Sequence, residues 1–89
     1  MNLDRDAIQQ AIKAKVIELA DQLDSDASEL AFDEIIPASG YIDSAGLLEL
    51  IAWFESTYGF RIPDSDMTID NLGSAAQMAD YLLRSKAPA

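Results

Sequence analysis

Apolar residues recur at steps of three and four in three separate segments of this 89-residue chain. Such spacing puts them on one face of an α-helix, and no stretch alternates regularly enough to predict a β-strand. The pattern predicts helices from about Asp4 to Leu23, from Ser44 to Tyr58 and from Ser74 to Leu83. The three apolar stripes consist of Ile8, Ile12, Val16, Leu19 and Leu23; Leu47, Leu50, Ile51, Phe54 and Tyr58; and Ala75, Met78, Ala79, Leu82 and Leu83.

The segment between the first two helices, residues 24–43, is long for a connection within a compact domain. Turn-forming residues occur near both of its ends, and Pro37 is expected to break any helix there. A single helical turn near Ser28 to Phe32 fits the pattern. We expect this loop to be held against the core by its apolar side chains, which are those of Leu30, Phe32, Ile35 and Ile36.

Glycine, proline and serine mark the ends of the remaining elements. Gly59 follows the second helix in the position typical of a helix C-terminus. Pro63 separates that helix from a short turn or helix around Asp64 to Leu72, and Ser74 with Gln77 forms the capping-box pattern that starts a last helix. The chain therefore predicts an all-α fold, a small four-helix bundle with three main helices, one short helix and a long first loop.

The length is that of one domain, which we place at residues 1–84 and expect to be monomeric alone, with a flexible C-terminal tail at 85–89. Because the chain has no cysteine, no disulfide stabilises it, which fits a reducing compartment. The first residues lack the basic and apolar regions of a signal peptide, and no apolar run is long enough to span a bilayer. We therefore expect a cytoplasmic protein.

The charge of the chain is strongly acidic and unevenly distributed. Sixteen acidic and six basic residues give a formal net charge of -10, and no Lys or Arg lies between Lys15 and Arg61. Such a surface repels phosphate, so nucleic acids and anionic membranes are excluded as partners. Proteins with basic patches would instead be attracted.

Ser44 stands where the long loop meets the apolar second helix, directly after Asp43. The chain contains no His and no Cys, so the hydroxyl has no conventional base to activate it. A serine in this setting is a better substrate for another enzyme than a catalyst, and the helix N-terminus would stabilise an anion attached to it. The competing interpretation is structural, because Asp and Ser are both favoured helix N-caps.

Calcium binding is a weaker interpretation of the acidic segments. An EF-hand loop requires Gly at its sixth position and Glu at its twelfth. The stretch that begins at Asp64 has Ile69 and Ala75 there, and the stretch that begins at Asp24 fails at the same two positions. No metal site is therefore expected.

Three motifs in order along the chain carry a resemblance to a known family. Asp43-Ser44 opens the second helix, Ile62-Pro63-Asp64 follows that helix, and Asp80-Tyr81-Leu82 lies near the end of the last one. In these motifs and their spacing the chain resembles the acyl and peptidyl carrier proteins over about half its length, from Ile42 to Leu83. Stand-alone aminoacyl carrier proteins are similar in size and vary around the serine.

The resemblance implies an acyl-carrier-like fold and a carrier that is not itself an enzyme. Ser44 would carry 4'-phosphopantetheine from coenzyme A, whose thiol holds an acyl or aminoacyl group as a thioester. Asp43 would be recognised by the phosphopantetheinyl transferase. Further partners would be an acyl- or amino-acid-activating ligase with a basic docking surface and a downstream acyltransferase or synthase. The cargo stays open between fatty acyl, polyketide and amino acid.

The resemblance also implies a partner-binding face, mainly on the second helix. Where the family usually has Leu and a polar residue after the serine, this chain has Ala45 and Gly46, and we expect a partner backbone or a short cargo to pack closely there. An unmodified acidic helical interaction module, with Ser44 as a cap, is the alternative. The residues predicted to contact partners are Ala45, Gly46, Leu47, Leu48, Glu49, Ala52, Glu55 and Ile62.

Overall fold

The computed structural model describes residues 4–86, and within them all regular secondary structure is helical, with no β-strand. The predicted all-α fold with three main helices is confirmed. Two further α-helices of four residues each and a 3-10 helix lie in the connections. The elements are α1 (Arg5–Asp21), α2 (Ile36–Ser39), α3 (Ser44–Tyr58), the 3-10 helix (Asp64–Asp66), α4 (Ile69–Leu72) and α5 (Ala75–Lys86).

Helix α1 buries the stripe predicted for it, with one exception at its end. Ile8, Ile12, Val16 and Leu19 all lie in the core, whereas Leu23 is 48% exposed. The prediction for Leu23 was wrong because α1 ends at Asp21, after which the chain turns away from the helix axis. The buried apolar stripe of α1 therefore ends one helical turn earlier than predicted.

Helix α2 corrects the prediction that Pro37 breaks any helix in the first connection. Pro37 lies in the first turn of α2, where its missing N–H is not needed for an intrahelical hydrogen bond. Ile36 is fully buried, and its backbone N–H donates to the carbonyl oxygen of Gly73 at 2.7 Å. The segment from Ser28 to Phe32, where a helical turn was predicted, forms turns instead.

The long first connection is held against the core as predicted. Leu30 and Ile36 are buried, and Phe32 packs against the core while partly exposed. The fourth predicted side chain, that of Ile35, is only partly buried and does not belong to the core cluster. The carbonyl oxygen of Phe32 also accepts a hydrogen bond of 2.8 Å from the backbone of Ala76 at the start of α5. This connection is therefore an ordered part of the domain, and it leads directly to the start of α3.

Helix α5 begins with half of the predicted capping box. The Oγ atom of Ser74 accepts a hydrogen bond from the Gln77 backbone at 3.1 Å, but the Oε1 atom of Gln77 is buried without a partner among residues 4–86. The helix continues beyond Leu83 and includes Ser85 and Lys86, the first two residues of the predicted tail. The remaining tail residues, 87–89, lie outside the described residues.

The core lies between α1, α3 and α5, because α1 packs against both of the other long helices. Helix α4 packs on α5, and the Tyr81 hydroxyl of α5 donates to Asp66 at 2.7 Å, which secures the 3-10 helix. Across the outer surface, Arg5 and Asp80 form an ion pair of 2.7 Å between α1 and α5. Within residues 4–86, no helix is long and apolar enough to cross a membrane.

Gly73, at the buried junction of α4 and α5, has no room for a side chain. A Cβ atom there would overlap the backbone oxygen of Ile69 and lie 2.7 Å from its Cγ2 atom and 3.0 Å from Gln77 Oε1. We expect Gly73→Ala to lower the free energy of unfolding by about 2–3 kcal/mol, since the obstacle is mainly backbone. Urea unfolding measures this loss.

The matched control for that substitution is Gly40→Ala. Gly40 has open space around it but a φ angle of 79°, so the added methyl group is expected to cost only about 1 kcal/mol, from backbone strain. A Gly73→Ala variant no less stable than Gly40→Ala would contradict the predicted overlap.

Candidate functional site

The start of α3 is capped by Asp43 and not by Ser44. Asp43 has the extended backbone of an N-cap residue, and its Oδ1 atom accepts a hydrogen bond from the backbone N–H of Gly46 at 2.8 Å. Ser44 is the first residue of the helix. Either residue could have been the N-cap by sequence, and the structure shows that Asp43 is.

The Ser44 side chain is exposed, and its hydroxyl has no hydrogen-bond partner within the described residues 4–86. The alternative in which Ser44 serves as the cap is therefore wrong. The free N–H groups and the dipole of α3 lie behind this hydroxyl, an arrangement that favours an anion at the same place. The site thus presents an accessible hydroxyl group at the N-terminus of a 15-residue helix.

Gly46 permits the close approach of the capping carboxylate. A Cβ atom at this position would lie 3.1 Å from the Cβ atom of Ile42 and 3.2 Å from Asp43 Oδ1, both tighter than ordinary contacts. The capping geometry therefore gives Gly46 a structural reason to be glycine. The close packing of a partner or cargo on Ala45 and Gly46 stays a prediction.

A groove of about 270 Å³ adjoins Ser44 on one flank of α3. Its walls combine the apolar side chains of Ile42 and Leu47 with Pro37 of α2. Next to it, Leu47 and Pro37 also border a smaller apolar groove of about 100 Å³, which ends at the exposed residues Met67 and Ile69. Ser44 therefore lies at the edge of a continuous, partly apolar surface between α2, α3 and α4.

The predicted partner face is exposed for the most part. Ala45, Leu48, Glu49 and Ala52 are exposed, and Leu48 retains 65% of its accessible surface, the largest fraction among the exposed large apolar side chains within residues 4–86. Leu47, Gly46 and Glu55 are partly exposed. Their role in partner binding stays a prediction.

Ile62 does not belong to this face, which corrects the prediction. Its side chain is 3% exposed and packs in the core. Its backbone N–H donates to the Oε2 atom of Glu55 at 2.7 Å, so the chain after α3 folds back on that helix. One carboxylate oxygen of Glu55 is thereby engaged inside the molecule.

Met67 and Ile69 were missed by the sequence analysis. Met67, directly after the 3-10 helix, is 38% exposed. Ile69 is 57% exposed because the short helix α4 buries only Leu72 of its four residues. The burial of a single residue in so short a helix leaves no periodicity in the sequence from which the exposed positions could be inferred. Within residues 4–86, no group of three or more His, Cys, Asp or Glu residues could hold a metal ion.

Comparison with known proteins assigns the chain to a family. A family model described as "Phosphopantetheine attachment site" matches residues 10–82 of the chain, a range that includes Asp43, Ser44 and all of α3. The chain belongs to this family. It is therefore a carrier of acyl or aminoacyl groups that acts with partner enzymes and is not itself a catalyst, and its prosthetic group is covalent 4'-phosphopantetheine.

Curated relatives give a similar result. D-alanyl carrier proteins from Streptococcus thermophilus and Streptococcus gordonii are 33% and 32% identical to the chain over 69 residues, which cover 78% of this chain and 87% of theirs. The D-alanyl carrier protein of Streptococcus pyogenes serotype M1 is 35% identical over 69 residues, covering 76% of this chain and 86% of its own. No solved structure matches significantly.

Proposed function

We propose that Ser44 is the attachment residue and that the chain carries an amino acid, as the D-alanyl carrier relatives do by name. Ser44 is supported as the attachment residue by the different roles of the two side chains at the start of α3. Asp43 satisfies the helix N-terminus, and the adjacent hydroxyl of Ser44 is exposed and unpartnered within residues 4–86. A small amino acid, D-alanine first, is the proposed cargo.

The residues around Ser44 fit a phosphopantetheinyl group. The hydroxyl opens to solvent, the N–H groups of α3 favour a phosphodiester, and the adjoining groove of about 270 Å³ leaves space beside it. The group supplies the thiol that this cysteine-free chain lacks, and thereby the thioester bond to the cargo. The chain itself contributes a fixed hydroxyl, a favourable electrostatic environment and a surface for its partners.

The chemistry of attachment depends on the transferase for its base. The Oγ atom of Ser44 displaces the nucleotide of coenzyme A at phosphorus, and its proton passes to a base of the transferase, because this chain contains no His or Cys. Asp43 uses only Oδ1 in the cap, so its Oδ2 atom is available for recognition by the transferase. The two neighbouring side chains thus have separate roles.

The acidic charge of the chain supports basic partners. An amino-acid-activating ligase with a basic docking surface would load the carrier, and an acyltransferase would receive the cargo. In this proposal the protein works in the cytoplasm as a single carrier domain. Exposed Leu48 and Ala52 on α3 provide an apolar contact within the acidic surface.

The test is intact-protein mass spectrometry of the apo-protein after incubation with coenzyme A, Mg²⁺ and each of several phosphopantetheinyl transferases. We expect a gain of one phosphopantetheinyl group, and fragmentation should place it on the peptide that contains Ser44. No gain on the Ser44 peptide with any transferase would reject Ser44 as the attachment residue.

The cargo is tested with the holo-protein, ATP and a D-alanine-activating ligase, in parallel reactions with D-alanine, L-alanine and glycine. We expect a second mass gain with D-alanine that neutral hydroxylamine removes, as it cleaves thioesters. Faster loading with L-alanine or glycine would replace D-alanine as the cargo while leaving Ser44 as the attachment residue.

A further inference from the structure

Arg61 is an isolated positive charge in the acidic part of the chain. It is the only Lys or Arg between Lys15 and Arg84, a stretch that contains all but two of the sixteen acidic residues. Its side chain is exposed and has no ion-pair or hydrogen-bond partner within residues 4–86, although Arg5 and Lys15 both form ion pairs there. The guanidinium of Arg61 is therefore available to another molecule.

The backbone on both sides of Arg61 is held in place, so its side chain starts from a defined position. The N–H of Phe60 donates to the carbonyl oxygen of Glu55 at 3.1 Å, and the N–H of Ile62 donates to the Glu55 side chain at 2.7 Å. The Phe60 ring packs on Phe54 with 5.3 Å between the ring centroids, and Ile62 is buried. Arg61 is thus an exposed residue between two anchored neighbours.

Two shallow depressions beside the C-terminal half of α3 meet at Arg61. Their volumes are about 580 and 560 Å³, and both are lined by Arg61 and Glu55. Ala52, on the predicted partner face, lines the first, and Asp64 lines the second. Neither carboxylate forms an ion pair with Arg61, and Glu55 uses one oxygen on the Ile62 backbone. The guanidinium therefore lies in an open surface that adjoins the predicted partner face.

A cation at this place limits which partner surfaces fit the chain. General attraction between a basic surface and an acidic protein does not distinguish one acidic protein from another. A uniformly basic surface is repelled at Arg61, whereas a basic surface with one carboxylate opposite Arg61 gains a complementary pair. A residue of this kind fixes how the two proteins align and disfavours partners that are positive throughout.

We propose that Arg61 is a specificity residue for the amino-acid-activating ligase, which places an Asp or Glu side chain against it within an otherwise basic docking surface. This inference rests on the proposed function. Helix α3 separates Ser44 from the segment that contains Arg61 by about 20 Å along its axis. The transferase must act at the Ser44 hydroxyl itself, whereas the ligase acts on the thiol at the far end of the phosphopantetheinyl group. Loading also commits the amino acid to one carrier, so discrimination between acidic proteins is needed at this step.

The test compares the initial rates at which a D-alanine-activating ligase loads holo wild type and holo Arg61→Glu, over a range of carrier concentrations at low salt. The amino acid is the one that the ligase loads fastest on wild type. A wholly basic docking surface would bind the more acidic variant better and lower KM, whereas a carboxylate opposite position 61 raises KM. We expect KM to rise about five- to tenfold with kcat nearly unchanged, and the difference to shrink as salt is added.

The matched control is Lys13→Glu, which makes the same change in net charge on α1, a helix that lines neither depression. Like Arg61, Lys13 has no ion-pair partner within residues 4–86. We expect Lys13→Glu and the charge-preserving Arg61→Lys to leave KM within twofold of wild type. Phosphopantetheine transfer to all three variants should also stay within twofold, which shows that the Ser44 site is intact.

Replacement of each surface Asp or Glu of the ligase by Arg, one at a time, should yield one ligase variant that restores the loading of Arg61→Glu. An unchanged or lowered KM for Arg61→Glu would overturn the proposal, as would an equal rise for Lys13→Glu or the lack of any restoring ligase variant. Failure of the wild-type chain to be modified or loaded would instead reject the proposed function.

Discussion

Replacement of Ser44 by alanine is expected to abolish the phosphopantetheinyl mass gain completely while leaving the stability of the protein almost unchanged. The Ser44 hydroxyl makes no hydrogen bond within residues 4–86, and its side chain is exposed. Alanine is also a good residue for the first turn of a helix. We expect the free energy of unfolding to stay within about 0.5 kcal/mol of wild type, the range for exposed sites.

Asp43→Ala provides the contrasting control one residue away. The substitution removes the carboxylate that accepts from Gly46, so it is expected to cost about 1 kcal/mol of stability, as for other N-caps. The Ser44 hydroxyl remains, and modification should be slowed but not abolished. Urea unfolding and intact mass, measured on the same preparations, separate the two roles.

Two results would contradict this assignment. A mass gain in Ser44→Ala would move the attachment to another residue. A loss of stability in Ser44→Ala as large as that in Asp43→Ala would mean that the serine holds the helix start together.

The sequence predicted the position of Ser44 because the signals at the start of α3 are local. Asp43 caps the helix and Gly59 follows it with a φ angle of 64°, so both ends of α3 lie where the side chains and the glycine predict them. Its buried residues Leu50 and Phe54 follow the helical period. A helix with clear signals at both ends and an apolar stripe needs no tertiary information to be located.

Helix α2 and Ile62 were predicted wrongly because their environments depend on contacts distant in sequence. The backbone N–H of Ile36, the first residue of α2, donates to the carbonyl oxygen of Gly73, a residue far along the chain. The sequence around α2 therefore does not indicate this hydrogen bond. Ile62 was placed on the partner face by resemblance alone. The hydrogen bond of its backbone to Glu55 turns the chain back and buries its side chain.

The exposure of Leu23 could not be predicted for a related reason. Regular periodicity placed Leu23 in the core, since nothing in its own side chain indicates that α1 ends at Asp21. The turn that follows α1 depends on Asp24, whose φ angle of 59° is in the left-handed region that glycine usually occupies. Surfaces formed where two helices end or begin require both helix boundaries and their relative positions, and a single sequence does not supply these.

Phe54→Ala is expected to be among the most destabilising single substitutions in this domain. The ring is fully buried and lies 5.3 Å from the ring of Phe60 and 5.4 Å from that of Tyr58, both in edge-to-face arrangements. Its removal leaves a cavity and should lower the free energy of unfolding by about 3–5 kcal/mol. Domains of this size are stable by only about 5–15 kcal/mol, so little stability would remain.

The control is Trp53→Ala, on the neighbouring residue of α3, which is larger but only partly buried. We expect it to cost less than Phe54→Ala, with both measured by circular dichroism in urea so that the loss of tryptophan does not affect the signal. An equal or greater loss of stability in Trp53→Ala would show that the burial of the side chain does not determine which of the two substitutions costs more.

The consequence of Phe54→Ala extends to the attachment site, because Phe54 and Leu50 anchor the helix that begins at Ser44. Ser44 is about 15 Å from Phe54 along α3, too far for any direct contact with the transferase reaction. We therefore expect Phe54→Ala to be modified normally at low temperature, and modification to fall on warming in parallel with the helical signal. A loss of modification while the helix remains folded would mean that Phe54 acts on the site by another route.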